Sequence, residues 1–213
     1  MEKASYFFAA LIPAVFAITV HEVAHGWVAN RCGDSTAADL GRLSLNPIKH
    51  VDPLGSLLVP FGLYCCSLII GAPPFFFGWA KPVPIQSDNF SHPRRDIALV
   101  AVAGPGANLL MLIAWCVFLH VLRINGASGS LLYMCYVGIM LNATIMVINL
   151  LPIPPLDGSR ILTSAMPARA GKFFNRLEPF GMLGIVALLA ILISTNVLDF
   201  LLNPILRLVM NLV

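Results

Sequence analysis

The sequence predicts an all-α polytopic membrane protein: about four clean transmembrane helices, one broken re-entrant segment and a short membrane-associated β element. Three observations predict it. Charged residues make up 11% of the 213-residue chain and hydrophobic residues 58%, whereas a soluble domain carries about 25% charged residues. So few charges cannot cover a surface in water, and a mean hydropathy of +0.85 points to lipid as the main solvent. Four apolar runs also reach the roughly 20 residues needed to cross a hydrocarbon core. A fifth run is long enough but is interrupted by proline and glycine.

The first clean run spans residues 5–30. It begins like a secretion signal, with Lys3 before an apolar stretch. No small-x-small cleavage site closes it, and it continues into His21-Glu22-Val23-Ala24-His25; a permanent helix is expected. The interrupted run, 54–79, contains Pro60-Phe61-Gly62 and Gly71-Ala72-Pro73-Pro74. Such breaks at membrane depth suit a re-entrant element covered by protein better than a straight span. In Lys81-Pro82-Val83-Pro84-Ile85 the prolines remove the donors of one edge, while Lys81, Val83 and Ile85 keep theirs on the other. That pattern predicts a one-sided strand to which an extended substrate could add; a rigid polyproline-like linker is the alternative. Runs 97–122, 131–151 and 180–200 are the remaining clean spans, and 201–213, with Pro204 and Arg207, reads as an interfacial helix.

Charge orients the chain. If 54–79 does not cross, one side holds Arg31, Arg42, Lys49, Lys81, Arg94, Arg95, Arg160, Arg169, Lys172 and Arg176, and the other Lys3, Arg123 and Arg207. Ten against three is a positive-inside pattern, with the N-terminus outside. The net charge is only +3, and no basic-aromatic patch suggests nucleic acid. The five cysteines (Cys32, Cys65, Cys66, Cys116 and Cys135) show no metal-type spacing and imply no disulfides. Neither an internal repeat nor a soluble domain is visible. A single domain over 1–213 is expected, with a core at about 5–162 and C-terminal helices at about 163–213.

His21 and His25 stand one helical turn apart, so both rings can reach one ion. Zinc takes imidazole nitrogen readily, and its catalytic sites usually have three protein ligands plus water. Glu22, beside the first ligand, is placed to move the proton of such a water. A charged group inside a span costs roughly 2.5–3.5 kcal/mol on insertion scales, so intramembrane ionisable residues default to function. For the third ligand Asp157 stands out, in Asn149-Leu150-Leu151-Pro152-Ile153-Pro154-Pro155-Leu156-Asp157-Gly158. The prolines end the preceding span and the glycine permits a sharp turn. Asp157 is thus either a ligand at an unwound helix end or the N-cap of a helix starting near Ser159. The incomplete metal site favours the ligand.

HEVAH in the first span and NLLPIPPLDG after the third resemble the site-2 protease family of intramembrane zinc metalloproteases. The resemblance extends to NPIKHVDPLG at 46–55, GWAKPVPI at 78–85 and AGPGAN at 103–108, and so covers about residues 15–162. It implies one Zn2+ per chain, with His21, His25 and Asp157 as ligands and Glu22 as the catalytic carboxylate. It also implies cleavage of single-span or other membrane-protein substrates near the cytoplasmic side of the cell membrane. The likeness is to compact members without PDZ or CBS domains. Asn108 and Asn149, near that site, are candidate oxyanion or substrate donors, against plain interhelical hydrogen bonding, which is the reading for Asn142. Asn46, Lys49, His50 and Asp52 are either a water path or an ordinary polar loop. The rival function is a metal-binding transporter or zinc sensor that uses the same ligands without hydrolysis.

Overall fold

The structure is a computed structural model that describes residues 2–71, 78–167, 171, 174, 191–192 and 195–212. Helix α1 (Glu2–Arg31) carries the first apolar run and tolerates Pro13 within it. It stops at Gly33, whose φ of +108° favours glycine. Helix α2 (Thr36–Asp39) is a single turn. A 3-10 turn at Pro47–His50 follows, then a π-type turn at Pro53–Leu58 that runs into α3 (Val59–Ile70). Helices α4 (Pro93–Ile124) and α5 (Ser130–Asn149) form a hairpin. Asp96 caps the start of α4, its carboxylate accepting the His92 N–H at 2.7 Å. Helices α6 (Asp157–Ala165) and α7 (Val197–Leu212) complete the described elements.

Helices α1, α4 and α5 pack against one another, α6 lies on α4 and α7 on α5. Close approach is achieved with small residues, as expected where lipid removes the hydrophobic drive between helices. A Cβ on Gly138 of α5 would come within 2.6 Å of the Trp115 ring on α4. Among the described residues, four helices are long and apolar enough to cross a membrane: Phe8–Arg31, Pro53–Ile70, Pro93–Ile124 and Ser130–Asn149. Three match the spans expected at 5–30, 97–122 and 131–151. The span expected at 180–200 lies largely outside the described residues.

Several expectations need correction. Pro60 and Gly62 do not break the 54–79 stretch. Pro60 falls at the start of α3, where its missing N–H costs little, and the helix stops instead at Gly71, φ +68°. The two ends of the excursion return to one place: Trp79 N–H donates to Gly55 O at 3.2 Å, and Ser56 Oγ donates to Trp79 O at 2.9 Å. No strand is present among the described residues, so the short β element is not formed. Residues 78–86 form no regular element and have no ladder partner. The Lys81 N–H goes to His50 O at 2.8 Å, and the Val83 N–H goes to a side-chain carboxylate. The helix expected over 201–213 needs no correction: its described part, to Leu212, is helical within α7, with Leu202 and Val209 packed against the α4–α5 pair.

Candidate metal centre

His21 and His25 are buried on the face of α1 that meets α4. Each ring is fixed by its Nδ1 atom. His21 Nδ1 lies 2.5 Å from Asn108 Oδ1, and His25 Nδ1 lies 2.7 Å from the Val100 carbonyl, both on α4. Each partner is an acceptor, so each Nδ1 carries the proton and each Nε2 presents a lone pair. The Nε2 atoms stand 3.0 Å apart, and Asp157 Oδ2 is 3.3 Å from both. That carboxylate oxygen is buried and has no hydrogen-bond donor. Three lone-pair donors without a proton to share repel one another, and a cation among them removes the conflict. Two imidazoles and one carboxylate, with potential ligand atoms all within 4.8 Å, form a set that fits zinc.

The surrounding backbone explains how the donors meet. Asn108 is fully buried and uses its whole amide: Oδ1 faces His21, while Nδ2 donates to Ala17 O at 3.2 Å and to Asn142 Oδ1 at 2.9 Å. The oxygen assignment is therefore fixed by the network. Gly104 lets α4 press against the rings, because a Cβ there would lie 2.6 Å from His21 Nε2. Asp157 is the first residue of α6; Leu156 occupies the N-cap position, and no side chain caps the helix. The capping alternative for Asp157 is thereby removed. Gly158 does not make a left-handed turn. It is required because α6 begins against the Leu150 and Leu151 carbonyls, where a Cβ has no room.

A cleft of about 580 Å³ opens beside these donors. Glu22, Val83, Ile85, Asn149 and Arg160 are among its lining residues. Glu22 Oε2 accepts the Val83 N–H at 2.9 Å. Asn149 donates through Nδ2 to Ile145 O at 3.0 Å, which leaves its carbonyl oxygen for the cleft. Asn108 and Lys81 are not among the lining residues. Asn108 has spent both amide hydrogens on Ala17 and Asn142, so it can fix His21 but has no donor to offer an oxyanion. Asn142 makes the interhelical bond expected of it, and through Asn108 it also bears on His21. His50 is buried, contacts Ser44 O through Nε2 at 2.8 Å, and does not belong to the three-donor cluster.

Sequence reasoning missed Asp34, the Val100 carbonyl and the Val83 N–H bond to Glu22. The Val100 carbonyl carries no side-chain signal. Asp34, outside every apolar run, is fully buried and accepts from the Thr36 N–H, the Thr36 hydroxyl, the Gln86 N–H and Asn89 Nδ2. Burial alone would raise its pKa, but those donors outweigh it and hold the carboxyl below the usual range.

The model for peptidase family M50 matches residues 123–192. The chain is 35% identical over 199 residues to "Putative zinc metalloprotease YwhC" of Bacillus subtilis (strain 168), covering 91% of this chain and 85% of that protein. It is 29% identical over 177 residues to "Putative zinc metalloprotease Rip2" of Mycolicibacterium smegmatis, covering 82% of this chain and 64% of that protein. For the protein of the same name from Mycobacterium tuberculosis the identity is 32% over 146 residues, 66% of this chain and 51% of that protein. No solved structure matches the chain.

Proposed function

The chain belongs to peptidase family M50, the site-2 protease family, and from that premise we propose that it is a zinc-dependent intramembrane endopeptidase. It acts on membrane-spanning helical substrates near the cytoplasmic side of the membrane. The observation that carries this reading is the convergence of His21 Nε2, His25 Nε2 and the undonated Asp157 Oδ2 on one point beside an open cleft. Zinc held there supplies Lewis acidity toward water and a peptide carbonyl.

The chain's own residues do the rest. The Asn108 amide and the Val100 carbonyl hold both imidazoles in the tautomer that ligates, as partners behind metal ligands do elsewhere. Glu22 takes the proton of the attacking water and returns it to the leaving amine, the ordinary task of a carboxylate in this position. Asn149, at the cleft, can hold substrate backbone. Val83 and Ile85 form one cleft wall, and Lys81 lies upstream on the same segment. Residues 1–213 act as one domain.

The same reading includes a topology. Residues 54–79 form a re-entrant arm that does not cross, with the N-terminus outside. Support comes from the returning hydrogen bonds, above all Lys81 N–H to His50 O at 2.8 Å; two residues in direct contact cannot lie on opposite faces of a bilayer. Cysteines placed at positions 49 and 81 are expected to label from the same, cytoplasmic, side. Labelling from opposite sides would refute the arm.

Function is tested by Glu22→Gln in proteoliposomes that carry a panel of single-span proteins. The variant should fold, keep zinc and lose about 10²–10⁴ in cleavage rate, the usual worth of positioned proton transfer. A transporter or sensor needs the ligands but not the proton shuttle, so unchanged processing with zinc retained would end the protease reading.

A further inference from the structure

We propose that Asp34 and Arg42 are positioning residues for Glu22: they hold segment 81–86 so that the Val83 N–H fixes the Glu22 carboxylate. The proposal rests on the protease reading of Glu22.

In Pro82-Val83-Pro84 the prolines have no N–H, so Val83 owns the only backbone donor of the three residues. That donor goes to Glu22 Oε2 at 2.9 Å, across 61 positions of sequence. The bond occupies one carboxylate oxygen and leaves the other for proton exchange. It also removes the rotational freedom that a glutamate side chain would otherwise keep, and small errors in the placement of a proton-transfer group are costly in rate. The Val83 side chain is buried against α1, where a Cβ on Gly26 would come within 2.8 Å of Val83 Cγ1. The contact is therefore built on both backbone and side chain.

The segment has no ladder partner, and apart from the Lys81 N–H bond to His50 O at 2.8 Å two side chains hold it, one on each side of Val83. Upstream, Arg42 Nη2 donates to Lys81 O at 2.9 Å and to Pro82 O at 3.3 Å. Downstream, Asp34 Oδ2 accepts the Gln86 N–H at 2.8 Å, and Asp34 Oδ1 accepts Asn89 Nδ2 at 2.8 Å. Asp34 follows the end of α1 directly, so it ties the segment to the helix that carries Glu22. Every partner of Asp34 is a donor, which suits an ionised carboxylate with no exposure to water. Arg42 contacts only carbonyls on this segment, and its one Nη2 nitrogen serves two successive acceptors. Arg42 on one side and Asp34 on the other bracket one hydrogen bond at the catalytic carboxylate.

The test uses the full-length, zinc-loaded chain in detergent. In protein labelled with ¹⁵N-valine, the Val83 amide is assigned by its loss in Val83→Ile, and its hydrogen exchange is followed by NMR. Glu22→Ala and Asp34→Ala should each speed exchange at Val83 by about 10-fold or more, since a lost hydrogen bond exposes the amide. An unchanged rate in both would overturn the proposal. Cleavage of a single-span protein from the same panel supplies the second readout. Arg42→Gln should lower kcat by about 10-fold with KM and zinc content nearly unchanged, and Arg42→Lys should restore part of the loss, because a lysine can still donate to Lys81 O. A raised KM with unchanged kcat would overturn the proposal by showing that the segment serves substrate rather than Glu22. Should Asp34→Ala fail to fold, Arg42→Gln carries the Val83 exchange measurement in its place. Failure of the protease reading would appear separately, as cleavage of the single-span protein unaffected by Glu22→Gln, whereas the coupling of the Val83 amide to Asp34 is read without turnover.

Discussion

The α4–α5 pair is held together by different forces at its two ends. Toward the α4–α5 turn, Leu112, Leu119, Cys135 and Ile139 belong to an apolar cluster closed by Leu202 and Val209 of α7. Toward the metal centre, Asn108 and Asn142 meet in the same interface, and each amide has a defined partner for every group it uses. Only one helical turn separates Asn108 from Leu112. Apolar packing is a sum of many weak contacts and degrades gradually. A buried hydrogen-bond network does not, since removal of one member strands the others in a medium that cannot replace them. The molecule thus places its tolerant interface away from the chemistry and its exacting one beside it.

Substitutions at the two ends should separate these forces. Asn108→Ala would leave His21 Nδ1 and Asn142 Oδ1 without this partner, while Ala17 O, inside α1, keeps its helical donor. Each such loss costs about 1–3 kcal/mol in a buried setting. The expected result is a loss of about 10–100-fold in zinc affinity or cleavage rate, the usual effect of removing the partner behind a ligand. Competition with a zinc chelator measures it, and wild-type affinity and rate would break the contrast between the two ends. Leu119→Ala, at the apolar end, should act on stability alone. A cavity there costs about 2–4 kcal/mol by the record of soluble cores, read as a lower unfolding temperature in detergent. Zinc content and cleavage rate should stay near wild type. A large loss of activity with the fold intact would show that the two ends are not separable.

The three candidate metal donors, His21, His25 and Asp157, were legible in the sequence for a physical reason. Histidines one turn apart in an otherwise apolar helix are too costly to be incidental, and the proline-rich stretch before Asp157 announces a chain that leaves the helix. The three spans ending at the metal centre were legible from hydropathy. What was not legible depends on backbone atoms or on distant partners. The Val100 carbonyl and the Val83 N–H have no letter of their own. Lys81-Pro82-Val83-Pro84-Ile85 was expected to form a strand because its donors fall on one edge. The structure spends two of those donors on His50 and Glu22, and the edge never pairs. Pro60 looked like a break because proline usually is one, yet at the start of a helix it is harmless. Asp34 lay outside the apolar runs, where an aspartate raises no alarm, and only its contacts with Gln86 and Asn89 show what it holds.

The central claim is that one zinc ion per chain is bound by His21, His25 and Asp157. Metal analysis of the purified native chain, His21→Ala and Asp157→Ala, each checked for folding, tests it most directly. The account predicts stoichiometric zinc in the native protein and strong loss in both variants, since each removes one of only three protein ligands. Full zinc occupancy in both folded variants would contradict it.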